Sequence, residues 1–128
     1  MKESLCFDTD VCVDFLRNRE PGNILFSHSV ETYQCYLSAI TVYELTLGAE
    51  MMKRFQDIRK FIASFSVLPF SLEVAQKAAE VHAKLRKAHK EIGLPDIFIA
   101  ATCLVNNIPL ITRNKNHYQR VEGLKLLD

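Results

Sequence analysis

Residues 93–112 read "GLPDIFIAATCLVNNIPLIT". Gly93 and Pro95 punctuate the start of this stretch, and proline suits the first turn of a helix because its missing N–H has no helical partner there. From Asp96 to Asn106 the pattern predicts a helix that is apolar almost all round, with only Asp96 and Thr102 clearly polar before the closing asparagines. A helix without a polar face is a buried one. Leu110 to Thr112 then reads as a short strand. Between Ile92 and Ile111 the one formal charge is Asp96, and an isolated carboxylate in such surroundings is costly to bury.

Outward from this unit, short apolar runs alternate with segments of helical period. Leu5 to Phe7 is a strand candidate, followed by a helix from about Asp10 to Arg17. Asn18 to Asn23 holds Pro21 and Gly22 and reads as a turn; Ser27 to Tyr33 reads as part of a helix. Cys35 to Ala39 is a second strand. Thr41 opens a helical region reaching Phe65, with Glu44, Gly48, Met51, Phe55, Ile58, Ile62 and Phe65 as its inward stripe and Gly48 as a possible division. Ser66 to Leu68 is a third strand, Ser71 is an N-cap type, and the next helix runs to about His89 with Ala75, Ala78, Ala79, His82 and Leu85 near its buried side. Leu124 to Leu127 is a candidate fifth strand.

Short strands alternating with longer helices imply right-handed crossovers and a largely parallel sheet covered on both faces. The expected class is therefore α/β, three layers in one domain spanning residues 1–128. Sheets of this kind bind ligands outside the carboxyl ends of their strands.

Composition narrows the function. The chain has 128 residues, 48% hydrophobic and 24% charged, as one ordinary globular domain does. No apolar stretch approaches the ~18 residues of a bilayer span, and the start "MKESLCFDTD" lacks a signal-peptide pattern, so a soluble, cytoplasmic protein without a membrane partner is expected. Four cysteines, Cys6, Cys12, Cys35 and Cys103, sit singly and read as reduced, buried small hydrophobes. The net charge of +1 does not announce nucleic-acid binding. Local basic clusters at Lys53–Lys60, Lys84–Lys90 and Arg113–Arg120 are explained as solvated helix faces unless a reactive site lies beside them.

Three acids fall near strand ends or helix starts. Asp8 follows the first strand in "LCFDTD", where an N-cap is the favoured reading for this residue taken alone. Asp10 is ambiguous in the same way, and Asp14 reads as an exposed helical residue. Glu44 in "ITVYEL" fits a capping box with Thr41, yet it also heads the inward stripe. Asp96 could serve only the helix dipole, but its one-face partners Ile99, Ala100 and Cys103 are all apolar, so an inward carboxylate would need a cation to offset its desolvation. Acids converging at one sheet edge make an oxygen-only site suited to Mg²⁺ or Mn²⁺. No phosphate-cradling glycine loop is present, and the four histidines lack zinc-type spacing. Thr112, at the end of the fourth strand, and Asn114 after it could orient a water or phosphate or could equally cap a turn, while Arg113 and Lys115 place positive charge beside the acids.

The ordered set "FDTDVCVDFL", "YLSAITVYELTLGA", "LPDIFIAATCLVNNIPLITRN" and "TRNKNHYQRVEGLKLL" resembles the PIN domains, and specifically the VapC toxins of toxin–antitoxin pairs, over nearly the whole chain. The resemblance implies a five-stranded sheet in order 3-2-1-4-5, a homodimer, Mg²⁺- or Mn²⁺-dependent endoribonuclease activity leaving 5′-phosphate and 3′-hydroxyl ends, and inhibition by a small antitoxin. It carries Asp8, Glu44 and Asp96 over as metal ligands, with Asn114 completing the catalytic set and Thr9, Thr112, Arg113 and Lys115 toward the RNA substrate. Asn114 stands where members often have a fourth acid, which weakens the case for a second tightly held metal. Tyr118 stands where phenylalanine is common, a change expected to matter little.

Two other readings compete. A phospho-acceptor signalling module also builds an acidic Mg²⁺ pocket on a parallel sheet, but "CYLSAIT" and "SVLPFS" carry no terminal Asp to accept phosphate. A catalytically silent PIN-like nucleic-acid-binding protein is made thinkable by Asn114.

Overall fold

The computed structural model describes the backbone of residues 1–128 and every side chain except that of Met52. Its elements run β1 (Ser4–Phe7), α1 (Thr9–Leu16), α2 (Gly22–Thr32), β2 (Gln34–Ser38), α3 (Ala39–Met52), α4 (Phe55–Ala63), β3 (Ser66–Leu68), α5 (Leu72–Lys87), α6 (Leu94–Asn106), β4 (Leu110–Ile111) and α7 (Lys115–Tyr118). The four strands form a parallel sheet in the order β3-β2-β1-β4.

Alternation along β1 divides the core between the two faces. Leu5 and Phe7 point into one cluster with Val11, Phe26, Leu37, Leu45, Phe61 and Phe65, between the sheet and the helices α1 to α4. Cys6 points into the other, against α5 and α6, with Val74, Ala78, Ile97, Ala100 and Leu110. The first cluster is aromatic: Phe7 meets Phe26 and Phe65 edge-on at 5.3 and 5.5 Å between ring centroids. The helix apolar all round is α6; Ile97, Ile99, Ala100, Ala101 and Cys103 each retain at most 1% exposure. The expected three-layer α/β class holds.

The fifth strand is reduced. Residues 125–127 lie beside β4 in the expected position, with Leu110 N–H donating to the Lys125 carbonyl and Leu127 N–H to the Leu110 carbonyl, both at 2.9 Å. They make only one isolated parallel bridge, Leu110 to Leu126. A two-residue β4 offers no room for a longer ladder.

Two boundaries differ from the sequence reading. The long helical region divides at Lys53, which adopts a left-handed conformation as the C-cap of α3, and the helix passes through Gly48 unbroken. The buried face of α3 is Thr41, Leu45 and Ala49, one residue round from the expected stripe, and Met51 is 78% exposed; Phe55, which opens α4, is 44% exposed. The helix α2 also starts earlier than expected, at Gly22 inside the predicted turn. Ser71 caps α5 as expected, accepting from Val74 N–H at 3.1 Å.

Candidate active site

The carboxyl ends of β1, β2 and β4 and the start of α6 meet at one edge of the sheet. A cleft there is lined by Asp8, Thr9, Asp10, Glu44, Asp96, Arg113 and Asn114. Asp8, Glu44 and Asp96, 88 residues apart from first to last, thus face one space.

Asp8 is both cap and site residue. Its Oδ1 accepts from Thr9 N–H at 2.8 Å, closing the N-terminus of α1. Its Oδ2 accepts from the Thr112 hydroxyl at 2.7 Å, and Oδ1 also faces the Tyr118 hydroxyl at 3.1 Å. Burial, then the charges of Asp10 and Asp96, push its carboxyl up to about 7, against the opposing hydrogen bond from Thr112. Asp10 is raised as well, by burial, with Arg113 opposing.

Glu44 makes no capping box. Ser38 is the N-cap of α3, accepting from Thr41 N–H at 3.1 Å, which frees Glu44 to take a 2.7 Å hydrogen bond from the Thr9 hydroxyl. Thr9 and Thr41 hydroxyls lie 2.9 Å apart, so a chain of hydroxyls fixes the rotamer of the acid. Asp96, in the first turn of α6, accepts from the Tyr118 hydroxyl at 3.1 Å and approaches His117 Nδ1 at 3.6 Å.

Asn114 donates its side-chain amide to His117 Nδ1 at 2.8 Å and its backbone N–H to the Thr112 hydroxyl at 2.9 Å. An amide nitrogen only donates, so His117 Nδ1 accepts in this arrangement. Arg113 lines the cleft, but its Nε is engaged with Asp14 Oδ2 at 2.8 Å. Lys115 does not reach the cleft; its ammonium turns toward Asp128 at 3.8 Å, over a neighbouring depression. The lysines of α5 line a separate groove with Arg120 and Glu122.

Two residues play larger parts than their sequence context suggested. Asp14 is buried to 4% exposure, where an exposed position was expected; it pairs with Arg113 and accepts from Gly22 N–H at 3.2 Å. Its spacing of four from Asp10 was the available signal, because i and i+4 share a helix face. Tyr118, expected to matter little, is the bridge between Asp8 and Asp96. A hydroxyl within a segment otherwise destined for the core was its signal, since a buried phenol seeks a partner.

The donor set suits a hard divalent cation: several carboxylates, surplus negative charge and oxygen ligands only. Among the described residues no three carboxylate, imidazole or thiol groups stand close enough to enclose an ion as placed. Asp8 and Asp96 both face the Tyr118 hydroxyl through Oδ1. The fit is one of donor chemistry.

Fold and site together define an α/β domain with an acidic cleft at the carboxyl edge of a parallel sheet. The chain belongs to the PIN domain family, whose sequence model matches residues 5–124, and within that family it is of the VapC type. It is 32% identical over 130 residues to Ribonuclease VapC1 of Rickettsia felis, covering 96% of this chain and 94% of the relative. Ribonuclease VapC10 of Mycobacterium tuberculosis is 30% identical over 118 residues, 92% of this chain and 88% of that one. Among solved structures, DNA-bound VapBC from Salmonella typhimurium superposes with a TM-score of 0.87 at 24% identity, covering 98% of each chain.

Proposed function

We propose that this protein is a divalent-metal-dependent endoribonuclease and the toxin of a VapBC-type pair. The observation that carries the reading is the gathering of Asp8, Glu44, Asp10 and Asp96 around one cleft, two of them tied by a single buried hydroxyl. The ribonuclease relatives that match along nearly the whole chain support it.

Asp8, Glu44 and Asp96 would hold Mg²⁺ or Mn²⁺. When bound, such an ion acidifies a water for in-line attack on phosphorus and offsets the charge that develops on the phosphoryl oxygens. The chain's own residues prepare for this. Thr112 and Thr9 fix the orientation of Asp8 and Glu44 through short hydrogen bonds. Asn114 holds His117 beside Asp96. The Arg113 guanidinium, 45% exposed and positioned by buried Asp14, presents its remaining donors to a phosphate at the rim. Contacts of this kind position the RNA backbone and carry little base specificity.

An apolar groove between α1, α3 and α4, lined by Val13, Leu16, Leu45, Ala49 and Ile58, opens beside Glu44. It is the surface assigned here to the antitoxin, which would cover the cleft mouth from there. In this reading the toxin is a homodimer.

The test is incubation of the antitoxin-free protein with a panel of single-stranded and hairpin RNAs in Mg²⁺, Mn²⁺ or EDTA, with analysis of the product ends. Cleavage only with metal, leaving 5′-phosphates and 3′-hydroxyls, is expected. Cleavage in EDTA, or products with 2′,3′-cyclic phosphates, would contradict it.

A further inference from the structure

Tyr118 ends α7 with its ring in the core cluster of α5 and α6, and retains 1% exposure. Its hydroxyl lies 3.1 Å from Asp8 Oδ1 and 3.1 Å from Asp96 Oδ1. A phenol has one proton, so it donates to one carboxylate at a time while the other stays within reach. Nothing in the packing of the ring requires the oxygen; a phenylalanine would fill the same space. The polar atom is buried at the one point where two acids from β1 and α6 converge.

Of the remaining oxygens, Asp8 Oδ2 is fixed by Thr112 at 2.7 Å, while Asp96 Oδ2 stands 3.6 Å from His117 Nδ1, beyond hydrogen-bond range. Only the two Oδ1 atoms share a partner, and that partner reaches the site from a third element, α7. The rotamers of Asp8 and Asp96 are therefore coupled to each other through Tyr118.

We propose that Tyr118 is a positioning residue that sets the affinity of the cleft for its divalent ion, by holding the Asp8 and Asp96 carboxylates in register with one another. This rests on the reading of Asp8 and Asp96 as ligands. Partners hydrogen-bonded to ligating groups typically contribute 10–100-fold to metal affinity. Losing the hydroxyl alone is expected to weaken Mn²⁺ binding by roughly 10-fold, at the low end of that range because Thr112 still orients Asp8.

The experiment compares full-length parent and Tyr118→Phe by Mn²⁺ titration, with free Mn²⁺ read by electron paramagnetic resonance. Melting in EDTA and the Mn²⁺ dependence of RNA cleavage are measured beside it. The expected result is a dissociation constant raised by about 10-fold, a matching rise in the Mn²⁺ needed for half-maximal cleavage, and a rate at saturating Mn²⁺ close to the parent's. Equal or tighter Mn²⁺ binding by the variant, with only the EDTA melting temperature changed, would overturn the inference and leave the hydroxyl a satisfied core group. A parent that binds no Mn²⁺ would instead remove the metal reading itself, and this inference with it.

Discussion

Burial of Asp8 makes the metal-free protein less stable as pH rises toward neutrality. In the folded chain burial pushes its carboxyl up to about 7, from 3.8 for an ordinary aspartate. Between those values the native state holds a proton that the unfolded state has released, so stability falls with increasing pH across the window. At about 1.36 kcal/mol per pH unit the full difference is about 4 kcal/mol, of which about 3 kcal/mol is lost between pH 5 and 8. For a domain of this size that is a fall in melting temperature of roughly 10 °C. The raised carboxyl of Asp10 adds to the slope with the same sign. The assay is thermal unfolding by circular dichroism in EDTA from pH 5 to 8. Asp8→Asn, which has nothing to titrate there, should lose most of the slope, and saturating Mn²⁺ should flatten the parent curve by favouring the ionised acid. A parent melting temperature that is constant or rises with pH in EDTA, or a slope that survives in Asp8→Asn, would refute the reasoning.

Other perturbations follow from single contacts. A Cβ on Gly22 would run into the Asp14 side chain, so Gly22→Ala should cost about 2 kcal/mol and loosen the Arg113–Asp14 pair, measurable by urea unfolding. Thr112→Val removes the donor to Asp8 Oδ2 and the acceptor for Asn114 N–H; it should cost about 1–3 kcal/mol and move the Asp8 titration upward, because that hydroxyl lowers it, as read from the EDTA melting profile.

The fold was legible because its signals were redundant. The run from Asp96 to Ile111 showed a helix with no polar side leading into a strand, and Leu5–Phe7 and Ser66–Leu68 had the length and bounds of strands. The division of α3 from α4 was less legible. Gly48 is the weaker helix former, but what ends the helix is the left-handed turn at Lys53, a backbone choice that lysine does not advertise. The stripe through Met51 failed for a related reason: the apolar residues on both sides of α3 are too many for the core, and some, such as Tyr43, Leu47 and Met51, stay exposed. The acids of the cleft were legible from topology, which brings β1, β2 and α6 to one edge. Their supporting partners were not. Whether Thr9 bonds Glu44, or Tyr118 reaches Asp8 across 110 residues, depends on rotamers set only after the layers pack.

Asp96, proposed as a metal ligand, is the one formal charge in an otherwise apolar segment. The most direct measurement compares RNA cleavage by the parent and Asp96→Asn at equal concentration in Mg²⁺ or Mn²⁺, after both are shown to be folded by circular dichroism. Metal-dependent cleavage by the parent and none by the folded Asn variant is expected. An Asp96→Asn protein that cuts the same RNAs at the parent's rate would contradict it.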